Sequence, residues 1–286
     1  MSQLRNNINT TPVVTRGLVG QYDVLYNYGT GYWYDGIIGS IHNKYPPYLI
    51  NATSDYLETN PKDLDSFLAI TKYSTYNSAT LTASLINENK GAYIRLPGDG
   101  ANDRFGLILR KYHYGMLTYE NVYQSFFGNT ITIQMTLTFE DLTNNKGIYG
   151  FHNPGIIAQY VGGNIEFGYY PAGSPYAISV PATTYFGANR IMNIAHTLTP
   201  KPGNQKHINR LYINGKQYGV DQEINYISTF STGNNLIFGT SYNATNRFMT
   251  GNIYNILLYN TALTSDEVYQ NYLIDKFRFG ITHLAN

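Results

Sequence analysis

Hydrolytic and nucleophilic chemistry need acids, bases and nucleophiles at set distances, and this chain supplies few at useful spacings. Glu140 and Asp141 are adjacent, so on a strand they point to opposite faces. Retaining hydrolysis of a glycosidic bond needs two carboxylates on one face, about 5–5.5 Å apart. The other acids are scattered along the chain. There is no G-x-S-x-G elbow, and none of the six histidines has a partner at a telling spacing. His196, in the strand-like NIAHT, reads as a packed sheet residue; His42, His113, His152, His207 and His283 stand in turn-like stretches. No H-E-x-x-H or H-x-H occurs, and there is no cysteine. This argues against zinc and removes thiol nucleophiles and disulfides. The expectation is a protein without catalytic residues.

Binding chemistry is better provided. YNYGTGYWYD (26–35) sets Tyr32 and Tyr34 around Trp33 and beside Asp35, the aromatic platform and polar group that hold a sugar ring. SYNATNR (241–247) is a polar loop with Tyr242, Asn243 and Asn246. Both are candidate ligand-binding loops, and both have a plainer reading, an inward Trp33 anchor and ordinary turn residues. The turn GDGAND (98–103) brings Asp99, Asn102 and Asp103 together, hard oxygen ligands of the kind calcium takes. The same residues also make an ordinary Gly/Asp/Asn turn by bonding their own backbone. No organic cofactor is implied. Tyrosine is conspicuous, 29 against 13 Phe and one Trp; it suits a recognition surface, and AT-rich codon usage would give the same excess.

The elements that must position these groups are short strands. ITIQMTLT (131–138) alternates Ile131, Ile133, Met135 and Leu137 with Thr132, Gln134, Thr136 and Thr138, the pattern of a sheet with one buried and one wet face. GLVGQYDV (17–24) reads as a first strand, and GAYIRLPGDGANDRFGLILR (91–110) as two strands around a turn. Further strands are expected near 147–151, 156–160, 164–169, 190–197, 208–213, 216–220 and 235–239. Asn214-Gly215 supplies the positive φ angles of a tight hairpin between two of them. Many short strands at this spacing mean a sandwich or barrel. Residues 1–16 read as a polar arm, 17–280 as one unit with an insertion or extra edge strands at about 51–90, and 281–286 as a tail.

The end of the chain departs from this pattern. In Ile253–Tyr259 both parities are largely apolar, so the strand is buried on both faces and needs a cover. Thr264-Ser265-Asp266-Glu267 matches a capping box, flanked by Leu263 and Val268 in staple positions. A short helix is expected to fold back on the sheet, with Val268, Tyr272, Leu273 and Phe277 inward and Gly280 at its end.

This closing unit resembles that of concanavalin A-like, laminin G-like jelly rolls. Gly251, Ile253, Tyr259, Asn260, Ala262, Leu263, Thr264, Glu267, Val268, Asn271 and Tyr272 carry the likeness. RLYINGKQYG, NLIFGTSYNATNRFMTGNI and RIMNIAHTLTP resemble the preceding strands. GLVGQYDV, WYDGIIGSIHN and Arg278-Phe279-Gly280 resemble the subset common in tailed-phage virion proteins. The resemblance implies an all-β, two-sheet antiparallel jelly-roll sandwich (concanavalin A-like) with a short C-terminal helix packed on it. It also implies a lectin-like binding surface, and calcium at the rim in many laminin G-like domains. The retaining hydrolases on this fold carry E-x-D-x-x-E on one strand, and that motif is missing here.

Bulk properties fit such a reading. The formal net charge is +1, without a Lys/Arg cluster, so no nucleic-acid partner is expected. No apolar run reaches the roughly 20 residues of a membrane span, and MSQLRNNINTTPVVTRG has no signal core. The expectation is a multicopy bacteriophage virion protein, made in the host cytoplasm and released by lysis. It would be a head decoration, head fibre or tail-associated adhesin that contacts other virion proteins and host surface glycans. A carbohydrate-active enzyme or its binding module is the alternative, and a purely architectural capsid or tail subunit the third reading.

Overall fold

A computed structural model describes residues 13–23, 28–34, 37–42, 66–72, 93–98, 105–113, 116–118, 129–143, 145–150, 155–170, 176–187, 189–203, 205–225, 236–240 and 247–281. Seventeen strands, β1 to β17, and two helices appear among them, and every pairing is antiparallel. One sheet of seven strands runs β1 (Leu18–Asp23), β17 (Thr250–Tyr259), β8 (Ile131–Phe139), β13 (Met192–Pro200), β14 (Lys206–Ile213), β15 (Lys216–Asn225), with β5 (Ile94–Pro97) also on β17. The other, of ten, runs β12 (Tyr176–Pro181), β11 (Asn164–Tyr170), β10 (Gly155–Val161), β9 (Lys146–Gly150), β16 (Ile237–Phe238), β6 (Phe105–His113), β4 (Ser66–Lys72), β3 (Ile37–His42), β2 (Tyr28–Tyr34); β7 (Met116–Thr118) pairs with β6. Helix α1 is one short turn, Ala182–Tyr185, and α2 is Ser265–Phe279. The expected two-sheet antiparallel sandwich with one C-terminal helix is what the chain forms.

Alternation builds the core between the sheets. Ile131, Ile133, Met135, Leu137 and Phe139 of β8 meet Ile148, Ile156, Ile165, Phe167 and Phe238 of the larger sheet, all at 0–1 % exposure. Segment 51–90 contributes β4, which pairs with both β3 and β6 and so lies inside the larger sheet. The two strands read around GDGAND part company: β5 joins one sheet and β6 the other. Asn214 and Gly215 take φ of 48° and 76° and join β14 to β15 as a tight hairpin.

The opposite face of β8 corrects one expectation. Thr132, Gln134, Thr136 and Thr138 are not wet; each is at most 2 % exposed, with α2 over Gln134 and Thr136 and the segment leading into it over Thr132. Strand β17 is buried on both faces as expected, but a bulge between Ile253 and Asn255 changes its parity. Ile253, Ile256 and Leu258 enter the core, while Tyr254, Leu257 and Tyr259 face the helix side. A bulge adds one residue and shifts all later side chains to the other face, which alternation alone does not reveal. Gly251 is needed by close approach: a Cβ there would run into the Thr138 carbonyl oxygen.

Helix α2 begins and ends as its sequence specifies. The Thr264 hydroxyl accepts from the Glu267 amide at 3.3 Å, and the Glu267 carboxylate accepts from the Thr264 amide at 2.8 Å. Gly280 takes the left-handed cap, φ 68°, open to glycine without strain. The inward stripe differs from expectation. Val268 and Tyr272 face in, but Leu273 and Phe277 are 43 % and 53 % exposed, and Asn271, Asp275 and Phe279 take the inner positions. The sheet surface beneath is polar, so the helix presents polar partners to it.

Those partners form a buried network. The Thr136 hydroxyl donates to the Asp275 carboxylate at 2.6 Å, and the Asn193 and Asn255 amides donate to it at 3.2 Å each. The Asn271 amide donates to Gln134 and to the Tyr259 hydroxyl at 2.9 and 2.8 Å. Of the span read as an arm, residues 13–16 are described and docked. Val13 and Val14 join the cluster around Val268, Leu257 and Leu263. The Val14 amide donates to the Asn271 oxygen at 2.9 Å, and Arg16 grips both oxygens of Glu267 at 2.7 and 2.6 Å.

Candidate functional site

The residues nominated from sequence as ligand or metal sites fall largely outside the described residues: Asp35, Asp99, Asn102, Asp103, Tyr242, Asn243 and Asn246. The backbone of Tyr32 and Tyr34 belongs to β2, where Tyr34 pairs with Ile37 and Trp33 with Ile38. Among the described residues no group of three or more His, Cys, Asp or Glu comes together as a metal site.

The described polar cluster nearest to a binding site lies on the outer face of the larger sheet. Strands β10 and β11 form a hairpin with Gln159 opposite Glu166 and Ile157 opposite Gly168. Ile156 and Ala158 enter the core, so Ile157 and Gln159 face out. A bulge between Ala158 and Gln159 sets Gln159 against Gly147 of β9, where no side chain intervenes. The Gln159 amide nitrogen donates to Glu166 at 3.0 Å, and its amide oxygen accepts from the Arg247 guanidinium. The Gly147 amide holds the Arg247 carbonyl at 2.9 Å. Gln159 is buried and its two charged neighbours are half-buried. Glu166 and Arg247, held in one row by the buried Gln159 amide between them, set an acceptor and donors side by side, the pattern that holds vicinal hydroxyls. The sequence reading missed this row because its members are 81 residues apart between Glu166 and Arg247; the Gln159–Glu166 spacing across Gly162-Gly163 was the one local signal.

A second polar line crosses the interior. The Tyr149 hydroxyl donates to His196 Nδ1 at 2.8 Å, and His196 Nε2 donates to the Asn209 oxygen. The Asn209 amide in turn donates to Phe167 O at 3.3 Å and to Gln222 at 2.9 Å. Those two acceptors fix the Asn209 orientation, hence the His196 tautomer. Burial lowers the His196 pKa to about 4, against the opposing pull of the Asn209 bond, and raises that of Tyr149. His196 is therefore a neutral, satisfied sheet residue, as its strand context suggests, and no substrate reaches it. His42 and His113 end β3 and β6, and His207 lies in β14 rather than in a turn.

Several of the described acids face cations. Glu140 pairs with Arg95 at 2.7 Å, Asp221 with Arg210 at 2.6 Å, and Glu223 with Lys201. Asp141 turns the other way from Glu140, to Thr143 at 2.7 Å and to Lys146 at 3.7 Å.

The two-sheet antiparallel sandwich is of the concanavalin A-like, jelly-roll class. The family model for the concanavalin A-like lectin/glucanases superfamily matches residues 114–269, more than half of the chain, and the chain belongs to that superfamily. No curated protein matches its sequence. Among solved structures, an HCR/D mutant is 12 % identical with a TM-score of 0.54, covering 90 % of this chain and 51 % of its own. The binding domain of botulinum neurotoxin DC in complex with SialylT is 13 % identical, TM-score 0.48, covering 75 % and 47 %. A mutant of the NanB sialidase from Streptococcus pneumoniae is 16 % identical, TM-score 0.40, covering 52 % and 25 %. The chain spans about half or less of these proteins, and at such identities the likeness is one of fold alone.

Proposed function

We propose that this protein is a non-enzymatic, glycan-binding jelly roll, and that the outer face of its larger sheet at Gln159, Glu166 and Arg247 takes the sugar. The observation that carries this reading is the buried Gln159 amide held between a half-buried carboxylate and a half-buried guanidinium. Tyr32, Tyr34 and Asp35 would add an aromatic platform at the β2 edge, six strand spacings from β10, or roughly 30 Å at the usual strand separation. One extended oligosaccharide would be needed to touch both. Tyr242, Asn243 and Asn246 immediately precede Arg247 in sequence and would extend the row on that side. Calcium at Asp99, Asn102 and Asp103 would support the rim.

The test is retention on immobilised glycans. Glu166→Ala and Arg247→Ala should each weaken binding at least tenfold, about 1.4 kcal/mol. Undiminished retention by folded variants would remove the site, and release of reducing sugars from polysaccharide would favour an enzyme instead. Loss of retention on chelation would support the calcium site.

The setting we propose is a bacteriophage virion, as a head decoration, head fibre or tail-associated adhesin, where many copies offset weak single-site affinity. It rests on the likeness of the opening and closing segments to tailed-phage proteins. No helix among the described residues is long and apolar enough to cross a membrane. Mass spectrometry of purified particles, with copy number, checks the setting: absence from the particle would end it.

A further inference from the structure

The row at Gln159 is not open on every side. Ile165, Phe167 and Val180 enter the core, so Glu166 and Ser179 point out beside Gln159. Glu166 stands directly opposite both Gln159 and Ser179. Along the strands, away from the β10–β11 turn, the next outward row is Gly150, Ile157 and Gly168. All three are buried, and Ile157 is only 1 % exposed although it faces out. That side is closed. Across the strands toward β9 the way is closed too. The Gly147 amide holds the Arg247 carbonyl, which sets Arg247 beside β9, and the Arg247 side chain passes over Gly147 to reach Gln159.

The other two sides are open. At the β10–β11 turn Gly162 and Gly163 are exposed, and Val161 and Asn164 are half-buried. Toward β12, the last strand of this sheet among the described residues, Ser179 and Pro181 are exposed. Two adjacent walls and two adjacent openings make a corner rather than a groove. A chain that cuts across the open side passes Asn164 and Ser179 and misses Arg247. Only the end of a chain reaches the guanidinium at the inner wall.

We propose that this corner takes the end of a glycan chain, a single terminal sugar whose adjacent hydroxyls bridge Glu166 and Arg247, with the Ser179 hydroxyl as a further contact at the mouth. The inference rests on the glycan reading of the row and narrows it from sugars in general to chain ends. Gln159 is buried and bonded on both sides; it positions the two charges and does not itself touch the sugar. Ser179 lies one strand spacing from Glu166, about 4.8 Å, so a ring that reaches the carboxylate comes within range of the hydroxyl.

The test is retention of the full chain on immobilised dextran, mannan and galactan, with the same polysaccharide in solution as competitor, either intact or cut by acid. At equal sugar mass, cutting to about a tenth of the length gives about ten times the ends, so the hydrolysate should compete about tenfold better. Ser179→Ala should weaken retention about fivefold, the worth of one hydrogen bond, with its unfolding midpoint unchanged. Equal competition by intact and cut polymer, with Glu166→Ala still weakening retention, would overturn end recognition and leave the row as a site. Full retention by Ser179→Ala would remove that contact. Retention on none of the three polysaccharides, or full retention by folded Glu166→Ala, would remove the glycan reading and end recognition with it.

Discussion

The two faces of β8 are made from one nine-residue strand and do opposite things. The side that carries Ile131, Ile133, Met135 and Leu137 meets apolar residues of the larger sheet. The side that carries Thr132, Gln134 and Thr136 meets α2 and the segment leading into it through hydrogen bonds, and it is just as dry. Apolar contacts are non-directional, so the first face binds strongly and tolerates small shifts. Buried hydrogen bonds are directional, and each unmade one is costly, so the second face accepts one position of the helix. The inter-sheet face supplies cohesion, and the helix face supplies register.

The comparison can be broken at several points. Leu137→Ala cuts a fully buried side chain from the apolar face and should cost roughly 2–5 kcal/mol in denaturant unfolding. Asp275→Ala leaves Thr136, Asn193 and Asn255 without their common acceptor, a loss of about 3 kcal/mol. If the helix face gives register, hydrogen exchange in this variant should rise along α2 before it rises along β8. Equal exchange in both elements would refute the division of labour.

Acid should act on the two faces in separate windows. His196 is neutral in the folded core with its pKa at about 4, against 6.5 when unfolded. The unfolded chain therefore gains the proton first, and stability, complete above about pH 6.5, falls toward pH 4 by up to about 3 kcal/mol. His196→Gln should flatten that slope. Glu267 is held at about 2 by its bond to Arg16, so its contribution persists above about 4.5 and disappears below that. Unfolding midpoints from pH 7.5 to 3, for wild type and His196→Gln, separate the two. The smallest effect expected is that of Thr264→Ala, which loses the cap of α2 and about 1 kcal/mol.

Much of this was legible locally. The Thr264–Glu267 capping box, the Leu263–Val268 staple, Gly280 and the Asn214-Gly215 hairpin are interactions between near neighbours, and each was read in place. The rotation of α2 was not legible, because a hydrophobic reading turns Leu273 and Phe277 inward where Asn271 and Asp275 belong. The register of β17 was hidden by the bulge at Tyr254. The candidate site was hidden by distance along the chain, since Glu166 and Arg247 meet only through Gln159.

The order of polar and apolar residues along this chain was enough to determine that it forms short strands, packed as a sandwich or a barrel, and one capped helix at its end; the choice of two sheets rested on the resemblance of its closing segment. Those features follow from periodicity and from contacts within a few residues. Which polar face would be dry, which side of α2 would show its apolar residues, and which distant amide and charges would share a row were decided by tertiary packing. A side chain's periodicity states that it has two possible sides; the element packed above it decides which one is covered.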